Sequence, residues 1–538
     1  MRLKVLVPAL LAVSFLLILS PTLKPEAEYP RRPKLVLVLT IDQFRFDYLV
    51  RFRPQFVERG FNLLLNGGAS FVDCRYNYAT TVTGSGHASL FTGAYPNIHG
   101  IIGNEWYDRS LHREVNCIED PDTKQVGDAE GQSGAGASPH NLIGSTIGDE
   151  LRAADNFESK VIAVALKDRS AILPGGHTAN AAYWYDGKTG HFVTSTYYMP
   201  SLPSWAVQFN DHAPAKAYCG RSWQALPETP GAAGKTLRDA LPSNEPCPSP
   251  EFLSWLEGTP FMNEIELNFV REAIKEGHLG EGQATDLLAV SLSVNDHIGH
   301  AFGPYSPQVA DTTLRTDRDL ADFFAYLDRT VGLDKVWIAL SADHGVAPNA
   351  RFVREHKLGT GVRNEGALRS TVEQALSKAF GEDHWIESVH GFYIYLNLAT
   401  LEKHHLERAK VEAVAADAAL TVPGIEATFT RTQFLTGTLP NSALARKAAQ
   451  SFNLQRSGDV FVVLNPYAVT SNSEVSATHG TPWSYDAQVP LVLWGSVFKP
   501  GVYTTPCQPI DLAATLAAVL GLTQPSGSQG RPLTEAIK

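Results

Sequence analysis

Cysteine is scarce in this sequence, and no cysteine motif suited to metal binding is present. The 538 residues include five cysteines, which are widely spaced and form no C-x-x-C pair. A zinc site built from thiolates is therefore not expected. An odd number leaves at least one cysteine unpaired. In an oxidising compartment Cys219 and Cys247, which flank a proline-rich segment, are candidates for a disulfide, and buried free thiols are the alternative.

The sequence also has no excess of positive charge. Its 45 lysine and arginine residues against 56 aspartate and glutamate residues give a net charge of −11, and there is no local basic cluster. A nucleic-acid partner is not expected, because binding to a phosphate backbone needs concentrated positive charge. The absence of repeats, heptads and low-complexity tracts excludes fibrous and disordered proteins. The function classes that remain are an enzyme and a binding protein. The chain is long enough to bury a large hydrophobic core.

Long hydrophobic runs are absent except at the N-terminus. Arg2 and Lys4 precede an apolar run from Val5 to Leu19, which is the order of charge and hydrophobicity in a secretory signal. The run is short for a membrane span, but no clear small-x-small cleavage site follows it. We therefore expect residues 1–22 to be the signal peptide of an exported protein, with an uncleaved N-terminal anchor as the alternative.

Four short apolar runs, rich in valine, isoleucine and leucine, each end at chemically active residues. Such runs predict buried parallel strands, whose carboxyl ends meet at one edge of a sheet. An aspartate after a single strand is often only the N-cap of the next helix, but four such ends predict a shared site in an α/β fold. The runs are 34–41, 161–166, 287–294 and 336–342, and they end at Asp42, at Lys167 and Arg169, at Asp296, and at Asp343 and His344.

These residues include a donor set suited to divalent metal ions. Asp296 and His300 are four residues apart, which places both on one face of a helical turn. Asp343 and His344 directly follow a predicted strand, and His479 precedes another apolar run. Carboxylates and imidazoles without thiolates suit zinc or another first-row metal, whereas calcium prefers oxygen ligands alone. The number of carboxylates indicates two neighbouring ions.

A segment dense in threonine, serine and glycine, residues 75–106, supplies candidate nucleophiles. It contains a predicted short helix over 87–91, and the backbone N–H groups at a helix N-terminus favour negative charge. A hydroxyl at that position is a good nucleophile candidate, although the alternative for each is a simple helix N-cap. The candidates are Thr80, Thr81, Thr83 and Ser85.

The motifs, in their order along the chain, resemble those of the alkaline phosphatase superfamily. They are Asp42, TVTGSGH and TGAYPNIHGIIGN within 81–104, KDR at 167–169, NDHIGH at 295–300, ADHG at 342–345 and THG at 478–480. The chain is most similar to the bacterial periplasmic, phosphate-irrepressible alkaline phosphatases with a threonine nucleophile, which are related to the type I phosphodiesterases and nucleotide pyrophosphatases. The resemblance spans residues 34–525.

This resemblance implies a fold, a location and an activity. The fold is an α/β architecture in which helices flank both faces of a mostly parallel central sheet, with 33–525 as the catalytic domain. The protein is expected to be a periplasmic enzyme that hydrolyses small-molecule phosphate monoesters with broad specificity. It is expected to use two Zn²⁺ ions and a phosphothreonine intermediate, and to be a monomer.

The resemblance also assigns roles to individual residues. The nucleophile falls on Thr83, four residues before His87, and the phosphate contacts fall on Asn104, Lys167 and Arg169. Ser85 stands where relatives often carry proline, which we expect to be tolerated. The metal ligands fall on Asp42, Asp343 and His344, together with Thr83, for one ion, and on Asp296, His300 and His479 for the other.

Lys167 and Arg169 bear on the substrate class. Two cations favour the dianionic phosphoryl group of a monoester over the single charge of a diester. A phosphodiesterase or nucleotide pyrophosphatase of the same superfamily is the alternative function, and a phosphotransferase or an inactive binding relative stay open. Sulfatases share the fold but need a C/S-x-P-x-R motif, which the segment at Cys74 lacks.

Two long segments are predicted to be insertions. Residues 170–282 are rich in Pro, Gly, Trp and Tyr and lack a regular run of strands, so we expect an insertion over the active site. Residues 348–471 mix helical and strand patterns between the ADHG and THG motifs and predict a second insertion. Residues 511–520 predict an amphipathic terminal helix.

Overall fold

The computed structural model describes residues 32–127, 135–241, 247–359, 365–468 and 475–538. All of them belong to one unit, Arg32–Lys538. The predicted signal peptide or anchor, 1–22, lies outside the described residues. Within the described ranges, the helices are all too short or too polar to cross a bilayer.

The polypeptide forms nineteen strands and nineteen α-helices in the described ranges. The strands are β1 (Leu35–Ile41), β2 (Ala69–Phe71), β3 (Glu105–Asp108), β4 (Arg113–Asn116), β5 (Glu119–Val126), β6 (Ala135–Ala137), β7 (Val161–Ala165), β8 (Ala181–Asp186), β9 (His191–Ser195), β10 (Trp223–Gln224), β11 (Thr236–Arg238), β12 (Asp286–Leu292), β13 (Val336–Ser341), β14 (Ile386–His390), β15 (Tyr393–Leu396), β16 (Ile425–Thr430), β17 (Val460–Leu464), β18 (Leu491–Trp494) and β19 (Gly501–Tyr503). The helices are α1 (Phe46–Arg51), α2 (Phe61–Gly67), α3 (Thr83–Thr92), α4 (Pro96–His99), α5 (Ile147–Ala154), α6 (Asp168–Gly175), α7 (Ser204–Asp211), α8 (Pro250–Glu257), α9 (Phe261–Glu276), α10 (Val294–Phe302), α11 (Pro307–Thr330), α12 (Ala350–Glu355), α13 (Glu365–Phe380), α14 (Leu398–Lys403), α15 (Arg408–Leu420), α16 (Arg431–Thr436), α17 (Ala443–Ser451), α18 (Ser484–Ala487) and α19 (Asp511–Leu520).

A large sheet of eleven strands forms the centre, in the order β19-β2-β18-β13-β1-β12-β7-β8-β9-β5-β6. Its middle strands, β13-β1-β12-β7-β8, are all parallel. Residues of β1, β7, β12 and β13 are buried along their whole length, as expected for strands covered on both faces. The predicted α/β fold is confirmed, and antiparallel strands extend the parallel centre toward both edges.

Helices pack against this sheet in two groups. The first contains α6, which packs on β7, β8 and β12, with α3, α5 and α19 beside it. The second contains α9, which packs on β7 and β12, with α11 and α2 beside it. The predicted terminal helix is confirmed by α19, whose bounds are Asp511–Leu520. Its predicted amphipathic character is wrong, because the helix packs against α3 and α5 and is buried on nearly all sides.

A second, smaller sheet lies within 348–471. Its four strands are antiparallel in the order β14-β15-β17-β16. Helices α13 and α15 cover it and share with it a separate apolar core that includes Val372, Trp385 and Val411. An insertion that folds around its own centre needs a separate apolar core of this kind. The limits of the second insertion, 348 and 471, stay a prediction.

The prediction that residues 170–282 lack a regular run of strands is wrong in part. Strands β8 and β9 belong to the large sheet, and α9 packs directly on it. Their sequences, AAYWYD and HFVTS, carry the aromatic and β-branched residues that favour strands, but both strands are short and lie in a segment rich in proline and glycine, which obscured the pattern. The rest of the segment carries the Cys219–Cys247 disulfide, which resolves the two alternatives, while Cys74, Cys117 and Cys507 are buried free thiols.

Candidate active site

The parallel strands deliver the predicted residues to one place. Asp42 follows β1, Asp296 lies in the first turn of α10 after β12, and Asp343 follows β13. Lys167 follows β7 at the start of α6, and its Nζ lies 2.7 Å from Asp42 Oδ2 and 2.6 Å from Asp296 Oδ2. The expectation that the strand ends share a site is therefore confirmed for these residues.

Asp42, Asp343 and His344 form the first group of candidate metal ligands. One ligand atom of each lies within 4.8 Å of the others, and all three side chains are fully buried. His344 Nε2 is 3.5 Å from Asp42 Oδ1 and 3.4 Å from Asp343 Oδ2. Within the described part of the chain, neither Asp42 Oδ1 nor Asp343 Oδ2 has a hydrogen-bond donor. These buried lone pairs, directed at a common imidazole, suit a cation.

Asp296, His300 and His479 form the second group. His300 Nε2 lies 3.2 Å and His479 Nε2 lies 3.6 Å from Asp296 Oδ1. The ring of His344 stacks on that of His479 with 3.5 Å between centroids, and its ligand atom is also within 4.8 Å of those of Asp296 and His479. The two groups are thus contiguous, with His344 between them.

The three histidines are held in one tautomer. Nδ1 of His300 donates to the carbonyl of Ala477 at 2.8 Å, and Nδ1 of His344 donates to that of Gly345 at 2.9 Å. His479 makes the same bond to Thr81 at 2.9 Å. Since a carbonyl oxygen only accepts, Nδ1 carries the proton and Nε2 keeps its lone pair toward the carboxylates. This is the arrangement of metal-binding histidines.

The electrostatics of the site favour additional positive charge. Burial, together with the neighbouring Asp343, raises the pKa of Asp42 well above its usual range. Burial acts in the same direction on Asp296, but Lys167 and His300 outweigh it and lower the pKa of that carboxyl. Three buried carboxylates face one ammonium group at this point, and burying unpaired charge is costly. Divalent cations would supply the missing charge.

Thr83 lies beside the first group. It is the first residue of α3, so the predicted helix begins four residues earlier than expected, and its side chain is 1% exposed. Its Oγ1 is 3.4 Å from His344 Nε2. Other hydroxyls of the segment bond to backbone carbonyls, Thr81 to Thr481 and Ser85 to Ile101, each at 2.8 Å. Thr83 is therefore the hydroxyl best placed as a nucleophile.

The predicted phosphate-binding residues differ in their surroundings. Asn104 accepts a hydrogen bond through Oδ1 from the backbone N–H of Gly84 at 2.7 Å, which fixes it beside the start of α3. Arg169 is in the first turn of α6, and its Nη1 is 3.7 Å from Asp168 Oδ1. Lys167 contacts the two carboxylates described above, so it joins the metal-ligand groups to the predicted phosphate site.

Sequence reasoning missed two residues that orient the ligands. The backbone N–H of Gln43 donates to Asp343 Oδ1 at 3.0 Å, and its side-chain Nε2 donates to Asp296 Oδ1 at 2.6 Å. Asn295 donates to the carbonyl of Asp42 at 2.9 Å. Each is the immediate sequence neighbour of a predicted metal ligand. This adjacency is the sequence feature that could have indicated their role in orienting the ligands.

His87 is a supporting residue. Its Nδ1 bonds the carbonyl of Thr83 at 3.0 Å and lies 3.3 Å from Asp343 Oδ2, and its Nε2 is 2.8 Å from Ser291 Oγ. It therefore links the start of α3 to a candidate metal ligand and to the end of β12.

Comparisons with known proteins agree with this geometry. The sequence model of the type I phosphodiesterase/nucleotide pyrophosphatase family matches residues 36–483. The chain is 36% identical over 520 residues to the alkaline phosphatase PafA of Elizabethkingia meningoseptica, covering 94% of this chain and 95% of that protein. It is 37% identical over 529 residues to a Myroides odoratus protein named calcium-transporting ATPase, covering 95% and 96%.

Comparison with solved structures indicates the same family. The crystal structure of wild-type PafA superimposes with a TM-score of 0.86 at 35% identity, covering 94% of this chain and 99% of that chain. Together with the match to the family model, this shows that the chain belongs to the type I phosphodiesterase/nucleotide pyrophosphatase family, within the alkaline phosphatase superfamily.

Proposed function

We propose that this protein is an alkaline phosphatase that hydrolyses small-molecule phosphate monoesters through a phosphothreonine at Thr83, with two Zn²⁺ ions as cofactors. The observation that carries the proposal is the position of Thr83 Oγ1, 3.4 Å from His344 Nε2, where two Asp/His groups meet. The 36% identity to a protein named alkaline phosphatase supports it.

The donor set fits two divalent cations. Asp42, Asp343 and His344 would hold one, and Asp296, His300 and His479 the other, with nitrogen and carboxylate ligands of the kind that zinc prefers. When bound, such ions supply charge that lowers the pKa of a coordinated hydroxyl and that stabilises a departing alkoxide.

The chain's own residues carry the covalent steps. Thr83 Oγ forms a bond to phosphorus while the bond from phosphorus to the ester oxygen breaks, and the alcohol leaves with the proton that the Thr83 hydroxyl gives up. Water then attacks the same phosphorus, the bond to Oγ breaks, and phosphate is released with the threonine hydroxyl restored. His87 holds the backbone of Thr83 in place, and the N-terminus of α3 favours the negative charge on Oγ.

Asn104, Lys167 and Arg169 would bind the non-bridging oxygens. Asn104 has its Oδ1 engaged by Gly84, so its amide nitrogen remains as a donor. Two cationic side chains favour a dianionic monoester over a monoanionic diester. The family description includes phosphodiesterases, so diester hydrolysis is the competing function, and these two cations are the observation against it.

A substrate matrix tests the proposal. Hydrolysis of an aryl phosphate monoester is compared with that of the matching bis-aryl diester, before and after chelation and after zinc is restored. Monoester preference, loss with the chelator and recovery with zinc are expected. Thr83→Ala should abolish turnover, while Thr92→Ala, at the opposite end of the same helix, should not. A preference for the diester would move the assignment to the phosphodiesterases.

The protein is further proposed to act as a monomer in the periplasm. The support for the location is the charged and then apolar order of residues 1–19. Cell fractionation tests the location: release of activity by osmotic shock is expected, and activity confined to the cytosol would contradict it. Light scattering of the purified protein tests the oligomeric state.

A further inference from the structure

A cavity of about 170 Å³ adjoins the candidate active site at Asn104. One wall belongs to the catalytic unit and the other to the tip of the β14–β15 hairpin from the smaller sheet. A larger cavity of about 520 Å³ next to β9 and α7 contains none of the site residues. The lining residues of the smaller cavity are Thr80, Val82, Ile102, Gly103, Asn104 and Glu105 on one side and His390, Gly391, Phe392 and Tyr393 on the other.

Phe392 brings the hairpin tip close to the reacting groups. A methyl group added at Gly480 would lie 3.0 Å from the Cζ atom of Phe392 and 3.3 Å from Val82 Cγ1, so the ring and Val82 both adjoin Gly480. Val82 directly precedes Thr83, and Gly480 directly follows His479. The cavity wall therefore touches the residues next to the nucleophile and next to a metal ligand.

The lining has a definite chemical character. Val82, Ile102 and Phe392 make much of it apolar. Thr80, 1% exposed, has a hydroxyl without a hydrogen-bond partner among the described residues, so this group remains able to bind a ligand. Such buried polar atoms normally have partners.

The opening is acidic. Ligand atoms of Glu105, Glu114 and His390 lie within 4.8 Å of one another, and His390 Nδ1 is 2.8 Å from Glu114 Oε1. Both glutamates are exposed. Two carboxylates against one imidazole leave the opening negatively charged at neutral pH, which attracts cationic and repels anionic groups.

Polar contacts hold the two walls together. Tyr107, in the hairpin that follows Asn104, donates to Glu387 at 2.8 Å. Arg109 of the same hairpin donates to the carbonyl of Leu396 at 2.9 Å and pairs with the buried Asp459. The cavity is thus preformed between two connected elements, as ligand sites usually are.

We propose that this cavity binds the alcohol part of the phosphate monoester and selects aromatic, neutral or cationic alcohols over those that carry a second anionic group. The inference rests on the proposed function. A dry cavity of about 150 Å³ is large enough for benzene, so a phenyl group fits the available volume. The apolar wall accounts for the aromatic preference and the acidic opening for the charge preference.

The test compares kcat/KM for methyl phosphate and for phenyl phosphates that carry no substituent, a trimethylammonium group or a carboxylate. For each substrate, the kcat/KM of a variant is divided by that of the wild type. This ratio cancels intrinsic differences in leaving-group reactivity. Phe392→Ala should lower kcat/KM for the phenyl esters about tenfold relative to methyl phosphate, the usual size of a lost apolar contact. Glu105→Gln should reduce the preference for the cationic over the anionic ester about threefold, as expected for an exposed charge.

Controls separate this role from others. Phe392→Leu keeps an apolar wall and should retain the phenyl preference, while Phe352→Ala and Glu58→Gln make matched changes away from the cavity. Inhibition by inorganic phosphate, which has no alcohol part, should be unchanged in Phe392→Ala. Equal losses for methyl and phenyl esters, or weaker phosphate inhibition, would overturn the proposal and indicate a purely structural ring. Absence of monoesterase activity in the wild type would instead refute the proposed function.

Discussion

Gly86 lies at the closest approach between the nucleophile helix and the metal ligands. A Cβ atom at this position would be 2.2 Å from the carbonyl oxygen of Asp343 and 2.7 Å from its Cβ. Both groups are backbone or near-backbone atoms, so neither can rotate away. The absence of a side chain at Gly86 therefore permits α3 to contact the chain directly at Asp343.

Gly86→Ala should displace α3 from the metal ligands. Ordinary contact begins at 3.4 Å, so the helix must move by 3.4 − 2.2 = 1.2 Å. A misplacement of about 1 Å at a reacting centre costs roughly 100-fold in rate. Overpacking of this kind also costs about 1–3 kcal/mol of stability.

The assay measures kcat/KM for an aryl phosphate monoester together with the urea midpoint of unfolding. Gly175→Ala is the matched control, because a methyl group there meets its nearest neighbour at an ordinary 3.4 Å. We expect a loss of about 100-fold for Gly86→Ala, beyond what its fraction unfolded explains, and no loss for the control. Wild-type kcat/KM in a folded Gly86→Ala variant would contradict this expectation, since Thr83 would then tolerate a shift of its helix.

Three further predictions concern charge and metal. Glu266 is fully buried in α9, and both of its carboxyl oxygens lack hydrogen-bond partners within the described ranges. Burial raises the pKa of this carboxyl well above 4.5. The folded state therefore loses stability as the pH rises above 4.5, because the unfolded chain ionises there more readily. Urea midpoints across this range should show Glu266→Gln gaining on the wild type with increasing pH, while Glu276→Gln on the exposed side of the helix should not; a constant difference would contradict the assigned cause. Replacing both Lys167 and Arg169 by alanine should lower kcat/KM for a monoester at least tenfold more than for a diester, and an equal loss would mean that they do not select the dianion. Chelation should lower the melting temperature as well as the activity, with both restored by zinc, because ligands that bind only the folded state stabilise it; unchanged melting would argue against a bound metal.

The strand-end residues were predictable because their pattern is local. A run such as KLVLVLTI followed by Asp42 specifies both a buried parallel strand and the residue at its carboxyl end, and the sheet then brings separate strands together. The local pattern did not single out Thr83 as the nucleophile, because Thr80, Thr81 and Ser85 are chemically equivalent candidates in the sequence. Only the resemblance to the family distinguished Thr83. The structure supplies a physical reason, because Thr81 and Ser85 donate their hydroxyls to backbone carbonyls, whereas Thr83 Oγ1 lies 3.4 Å from the candidate metal ligand His344.

Contacts between distant segments could not be predicted. The bridge from Lys167 to Asp42 and Asp296 depends on the order β1-β12-β7 in the sheet, which the sequence does not state. The approach of Phe392 and of Val82 to Gly480 brings together three segments that are far apart in the sequence. Strands β8 and β9 were not predicted for another reason, because they are short and the proline- and glycine-rich segment around them obscures their pattern.

The stereochemical course at phosphorus tests whether a phosphothreonine forms at Thr83. A monoester made chiral by oxygen isotopes is allowed to transfer its phosphoryl group to an acceptor alcohol, and the configuration of the product is determined. Two successive in-line displacements, the first by Thr83 Oγ, each invert the configuration, so net retention is expected. Net inversion would mean a single direct displacement, and it would contradict a phosphothreonine intermediate.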